Sequence, residues 1–274
     1  MLGEILGKWT FDPSVVVGLA ALGGVYWLYG HGPRASLPAL RRQDWLFGVI
    51  VALTLFALES PLDYLADRYL FSAHMVQHLL LLLAIAPLLA LSVPAALISE
   101  LKRVVPQGLQ RLAMQPVLVF VLISADMWVW HLPALYETTL HNPWVHMLEH
   151  ISFVITAVPF WWVALAPSPL TKQLPAVGRM AYVFLGGIPG IILGALITFL
   201  PGVLYPTYKL ALEEPGLGRR LATQFGMTAL GDQQLGGLIM WVPGGFVYLL
   251  AIVAIFLSWN SAAAVGAEPV PSET

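Results

Sequence analysis

Two pairs of histidines, each pair four residues apart, stand at the heads of two long apolar runs. His74 and His78 fall in S-A-H-M-V-Q-H (72–78), and His146 and His150 in H-M-L-E-H (146–150). Residues four apart share one face of a helix, so each pair can grip an ion from one side. If the two runs pack together, four imidazoles can surround one metal ion or two neighbouring ones. His131 ends another apolar run, and Asp232 opens a further one in G-D-Q-Q (231–234); both join the candidate ligands. Gln77, Glu149 and Asp232 are placed to orient imidazole N–H groups. Met75 and Met147 each follow a candidate ligand. The next residue on a helix points about 100° away, so both read as a thioether access path suited to Cu(I). Asp126 lies one turn before His131 inside an apolar run, and ionisable groups in such places are costly and often functional. Copper, zinc and iron all accept imidazole.

The elements that must position these groups are membrane helices. Of the 274 residues, 58% are hydrophobic and only 10% are charged, with a mean hydropathy of +0.79; soluble domains carry about 25% charge. No basic run suggests nucleic acid. The absence of cysteine excludes disulfides and thiolate metal sites. Nothing at the start reads as a cleavable signal peptide. There is no H-E-x-x-H, P-loop or G-x-S-x-G pattern.

A span needs about 20 apolar residues, and the sequence offers about seven such runs: 14–30, 45–58, 72–94, 112–130, 144–165, 179–200 and 235–259. The expectation is an all-α, polytopic membrane protein. Residues 1–260 form one seven-helix domain, and 261–274 form a disordered tail. Trp45, Trp144, Trp161, Trp162 and Trp259 lie near run ends, as at a membrane interface. The glycine-rich sixth run reads as a close-packing face. Arg34, Arg41, Arg42, Lys102, Arg103, Arg111, Lys172 and Arg179 fall on one side. That bias puts the N-terminus outside and the C-terminus in the cytoplasm. In this topology six of the seven histidines, all but His31, gather at the outer face.

Four blocks together carry a family resemblance: S-A-H-M-V-Q-H-L-L-L (72–81), P-A-L-Y (133–136), H-N-P-W-V-H-M-L-E-H-I-S-F (141–153) and G-D-Q-Q-L-G-G-L-I-M-W-V-P-G (231–244). With them the chain resembles the multi-span CtaG family of cytochrome c oxidase assembly proteins. The resemblance implies a multi-pass protein of the bacterial plasma membrane that handles copper for a haem–copper oxidase. Its partners would be oxidase subunits and membrane lipid, with a homo-oligomer also open. It implies an assembly role rather than an enzyme. His74, His78, His146, His150 and Asp232 are the matching motif positions, with His131 beside them. The residues leave open an intramembrane metalloenzyme holding iron or zinc, and a bis-histidine haem protein.

Overall fold

The computed structural model describes residues 2–30, 42–166, 170 and 173–266. Among them it is all helix, without strands. The elements are α1 (Leu2–Leu6), α2 (Pro13–Gly30), α3 (Arg42–Leu58), α4 (Pro61–Arg68), α5 (Phe71–Leu79), a π-helical segment (Leu80–Ile85), α6 (Ala86–Ser92), α7 (Ala95–Val104), α8 (Gln107–Ala113), α9 (Pro116–Trp130), α10 (Pro133–His141), α11 (Pro143–Leu165), α12 (Ala176–Phe199), α13 (Pro206–Glu213), α14 (Leu217–Phe225) and α15 (Ala229–Gly266).

Among the described residues, five helices are long and apolar enough to cross a membrane: α2, the α5–π–α6 rod, α11, α12 and α15. The count reaches seven if two bent pairs, α3 with α4 (40°) and α8 with α9 (52°), each make one span. Both bends have local causes. Pro61 cannot continue α3, and Ser60 restarts the chain by accepting the Leu62 N–H at 3.1 Å. Pro116 opens α9 after α8, with the Gln115 side chain capping the Leu118 N–H. Residues 261–266, read from sequence as part of a tail, continue α15. Small residues do not break a helix, and α15 runs on to Gly266. Residues 267–274, His31 and the basic residues Arg34, Arg41 and Lys172 lie outside the described residues.

The α5–π–α6 rod is central, touched by α3, α4, α11 and α15. α12 and α15 make the most extensive pair. A Cβ on Gly194 would lie 2.8 Å from the Gly237 carbonyl oxygen, and one on Gly237 2.7 Å from the Gly194 carbonyl. Only glycine permits that approach. The neighbouring Gly236 gives its space to the Phe71 ring at the start of α5.

The π segment follows from Pro87. The Ala86 N–H reaches five residues back to the Leu81 carbonyl. In that register the Leu82 carbonyl would take the N–H of residue 87, which proline lacks. The Trp161 indole N–H of α11 donates to it instead at 2.7 Å. Trp161 is therefore a core residue, 1% exposed, and Trp162 beside it is 6% exposed with its indole N–H buried and unpaired; neither is the interfacial residue its position suggested. An indole whose N–H has a buried partner is well placed inside. Trp161→Phe is expected to strand the Leu82 carbonyl and lower stability by about 1–3 kcal/mol. Thermal unfolding in detergent would read this, and an unchanged midpoint would show that another donor takes over.

Candidate metal centre

Each histidine pair is set by its own helix start. Asn142 caps α11, its Oδ1 accepting the Trp144 N–H at 3.0 Å, and Pro143 fits the first turn. That puts His146 and His150 in the first turns. Leu70 precedes α5 and gives no side-chain cap. Asp232 supplies one from α15. Its Oδ2 accepts the Phe71 N–H at 2.6 Å, and its Oδ1 accepts the Ser72 hydroxyl. A carboxylate there also faces the positive end of the helix dipole.

The two pairs meet. His74 and His78 touch through their Nε2 atoms at 2.7 Å. The His74 ring lies 5.2 Å from that of His146 and 6.1 Å from that of His150, and the His78 ring lies 5.5 Å from that of His150. Glu149 stands between them, with Oε2 3.8 Å from His74 Nε2 and Oε1 3.7 Å from His78 Nε2. One donor atom each from His74, His78, Glu149 and His150 fall within 4.8 Å of one another. Both Glu149 oxygens, His78 Nδ1 and His150 Nε2 are buried without a hydrogen-bond partner. Unpaired buried acceptors are expensive, and a cation among them would satisfy several at once. The donor set therefore fits a metal ion.

Outer partners fix the ring orientations. Tyr208 Oη donates to the Ala66 carbonyl at 2.8 Å and stands 3.3 Å from His74 Nδ1. With the hydroxyl proton engaged, His74 Nδ1–H donates to Tyr208, which leaves the Nε2 lone pair toward Glu149. Tyr136 completes the chain at 3.0 Å from Tyr208. Burial pushes both phenols well above their usual range, so they stay protonated. His131 sits beside this group, its ring 6.1 Å from that of His78. Its Nδ1 donates to the Met127 carbonyl at 2.7 Å, so its Nε2 lone pair faces Met75 Sδ at 3.4 Å. Burial pushes this imidazole down to about 4, which keeps it neutral near pH 7. An imidazole nitrogen and a thioether turned toward each other make a pair suited to a soft cation.

Several sequence expectations land elsewhere. Of the six histidines expected at one face, five meet at the cluster; His141 is exposed at the end of α10, and its Nδ1 donates to the Glu137 carbonyl at 2.6 Å. Asp232 is occupied as the α5 cap and does not reach the cluster. Asp126 accepts from Trp130 and Ser152 through Oδ1, both at 2.9 Å, and from Thr156 through Oδ2 at 2.8 Å. It clamps α9 to α11. Gln77 does not orient a histidine; its Nε2 donates to the Ala57 carbonyl at 3.0 Å and to Asp63 at 2.8 Å. Glu149 is no outer partner but stands at the centre. Met75 is fully buried against His131, while Met147 lines a cavity beside His146. Sequence reasoning missed Asp67 and Tyr208. Asp67 adjoins Arg68 in the sequence and gives no sign of a site there, yet its Oδ1 lies 3.6 Å from His146 Nε2. Tyr208 carries no signal at all in its stretch.

Fold and site together define a helical protein with several membrane-crossing helices and a buried imidazole–carboxylate pocket at the heads of two of them. The chain belongs to the family described as cytochrome c oxidase caa3 assembly factor (Caa3_CtaG), which it matches over residues 22–262. It is 25% identical, over 94% of its length, to uncharacterized proteins of Mycobacterium bovis and Mycobacterium tuberculosis. It is 22% identical over 92% of its length to one of Mycobacterium leprae. It spans 40% of the first two and 39% of the third. No solved structure matches it.

Proposed function

We propose that this protein assembles a haem–copper cytochrome c oxidase by binding copper at the His74, His78, His150 and Glu149 pocket and passing it to an oxidase subunit. The observation that carries this reading is the set of buried, unpartnered donor atoms on Glu149, His78 and His150, in a chain of an oxidase-assembly family. The facing pair His131 Nε2 and Met75 Sδ favours copper, since thioethers select Cu(I). In this reading residues 1–260 act as one membrane domain in the bacterial plasma membrane. The N-terminus is outside, the C-terminus is cytoplasmic, and the pocket lies toward the outer face. The role is delivery, not catalysis.

Metal analysis of protein purified without chelator or nickel resin tests the site. Loss of one outer partner of a ligand already weakens metal binding about 10–100-fold, so His78→Ala with His150→Ala should leave only background copper. Copper content that survives both changes would sink the assignment. Oxidase that keeps its copper in a strain lacking the protein would sink the role. A second reading is favoured by Glu149 at the centre of the pocket, since a carboxylate suits harder ions. There the pocket holds iron or zinc and activates oxygen or water. Iron or zinc at full occupancy, with no copper, would select it.

A further inference from the structure

The pocket is sealed on most sides: His74, Glu149 and His78 are 0%, 0% and 2% exposed. An ion needs a way in. α2, α3, α4, the π segment and α11 line an open-sided cavity of about 630 Å³, of ligand size. Its walls are apolar, Leu22, Ile50 and Val154 among them, and its polar end carries Asp63, Asp67, His146 and His150. His74, His78 and Glu149 do not line it. Asp12 lines it too, and no lysine or arginine does among the described residues. Carboxyl and imidazole groups with no opposing cation on the walls favour entry of a metal ion.

At the inner end of the cavity a second donor group forms. One donor atom each from Asp67, His74 and His146 fall within 4.8 Å of one another. Asp67 Oδ1 and His146 Nε2 are both buried without a hydrogen-bond partner, as is the neighbouring His150 Nε2. Only His74 belongs to both groups, and the His146 and His150 rings lie 4.2 Å apart. We propose that Asp67, His146 and His74 form a second cation station at the floor of this cavity. A copper ion binds there before moving one ligand at a time to His78, His150 and Glu149, with His74 held throughout. Oxygen and nitrogen donors near the cavity give a weaker, exchangeable hold, and the pocket behind has more imidazoles. No electron transfer is involved; the ion exchanges ligands at constant charge. The station rests on the copper reading above.

The test uses the full chain in detergent, loaded anaerobically with Cu(I) alone against a competing chelator. Wild type should take up one ion per chain, because the two positions share His74. Asp67→Asn and His146→Asn should each still take up that ion, but about tenfold more slowly, and elute like wild type. Gly18→Phe blocks the route without touching a ligand, because Gly18 lines the cavity and a Cβ there meets no atom within 4 Å. It should keep the full uptake but load about tenfold more slowly, as binding that waits on a conformational change does. Wild-type loading in both Asp67→Asn and His146→Asn, or in Gly18→Phe, would overturn the station and its route. If His78→Ala still abolished binding in that case, the copper reading would stand alone. A wild type that takes up no Cu(I) would overturn both.

Discussion

Glu149→Gln is expected to stabilise the metal-free protein while removing its copper. Both carboxylate oxygens are buried and accept no hydrogen bond. The neighbouring imidazoles at 3.7 and 3.8 Å offer no compensating charge while neutral. A buried carboxyl without partners is costly either as an unpaired charge or through the proton it must take up to become neutral. Glutamine is isosteric and uncharged, and its amide can donate to an imidazole nitrogen. The gain should be about 1–3 kcal/mol, visible as a higher unfolding midpoint in chelated samples. The same change deletes the one anionic ligand between the two histidine pairs, so bound copper should fall to background. Opposite signs in stability and binding are the mark of a group held for function at the expense of the fold. A destabilised variant that keeps its copper would make Glu149 a structural partner and empty the pocket of its centre.

Asp232→Ala should behave in the other sense. It removes the acceptor for the Phe71 N–H and the Ser72 hydroxyl, and leaves the start of α5 buried with unpaired donors. The expected loss is about 2–4 kcal/mol with or without copper. Asp232→Asn keeps an acceptor and should lose less. Any fall in copper content should follow the fall in folded protein rather than exceed it. A variant that unfolds normally but binds no copper would return Asp232 to the ligand set. The two substitutions separate a ligand from a cap, a distinction that the G-D-Q-Q block alone does not make.

The histidine pairs were legible because their spacing survives any packing: residues four apart share a face whatever lies opposite. The long rods were legible for a similar reason, since an apolar run of 20 residues has few other uses. What stayed hidden depends on contacts across the chain. Asp67 gives no sign of a site beside Arg68, and the turn at Ser60-Pro61 lays α4 against α5, where Asp67 meets His146 of α11. Tyr208 lies 134 residues from His74 in an unremarkable stretch. Asp232 and Asp126 showed that a polar group was needed, but not for what. A carboxylate that caps a helix, one that clamps two helices and one that faces a metal look alike until their neighbours are known.

The π segment after His78 has a consequence for how this rod can change. A π turn holds one residue more than the α turn it replaces, and one residue turns an α-helix by about 100°. The extra residue thus acts as an angular offset between two halves of one rod. The half before it aims His74 and His78 at α11. The half after it lays Ala86 and Ala90 into the core. Because the offset absorbs the mismatch, the imidazole face and the packing face need not share a single helical stripe. Substitutions in the lower half can be selected for packing alone, and those in the upper half for chemistry alone. The indole of Trp161 on the Leu82 carbonyl is the latch that keeps the offset at this position and stops it drifting along the rod.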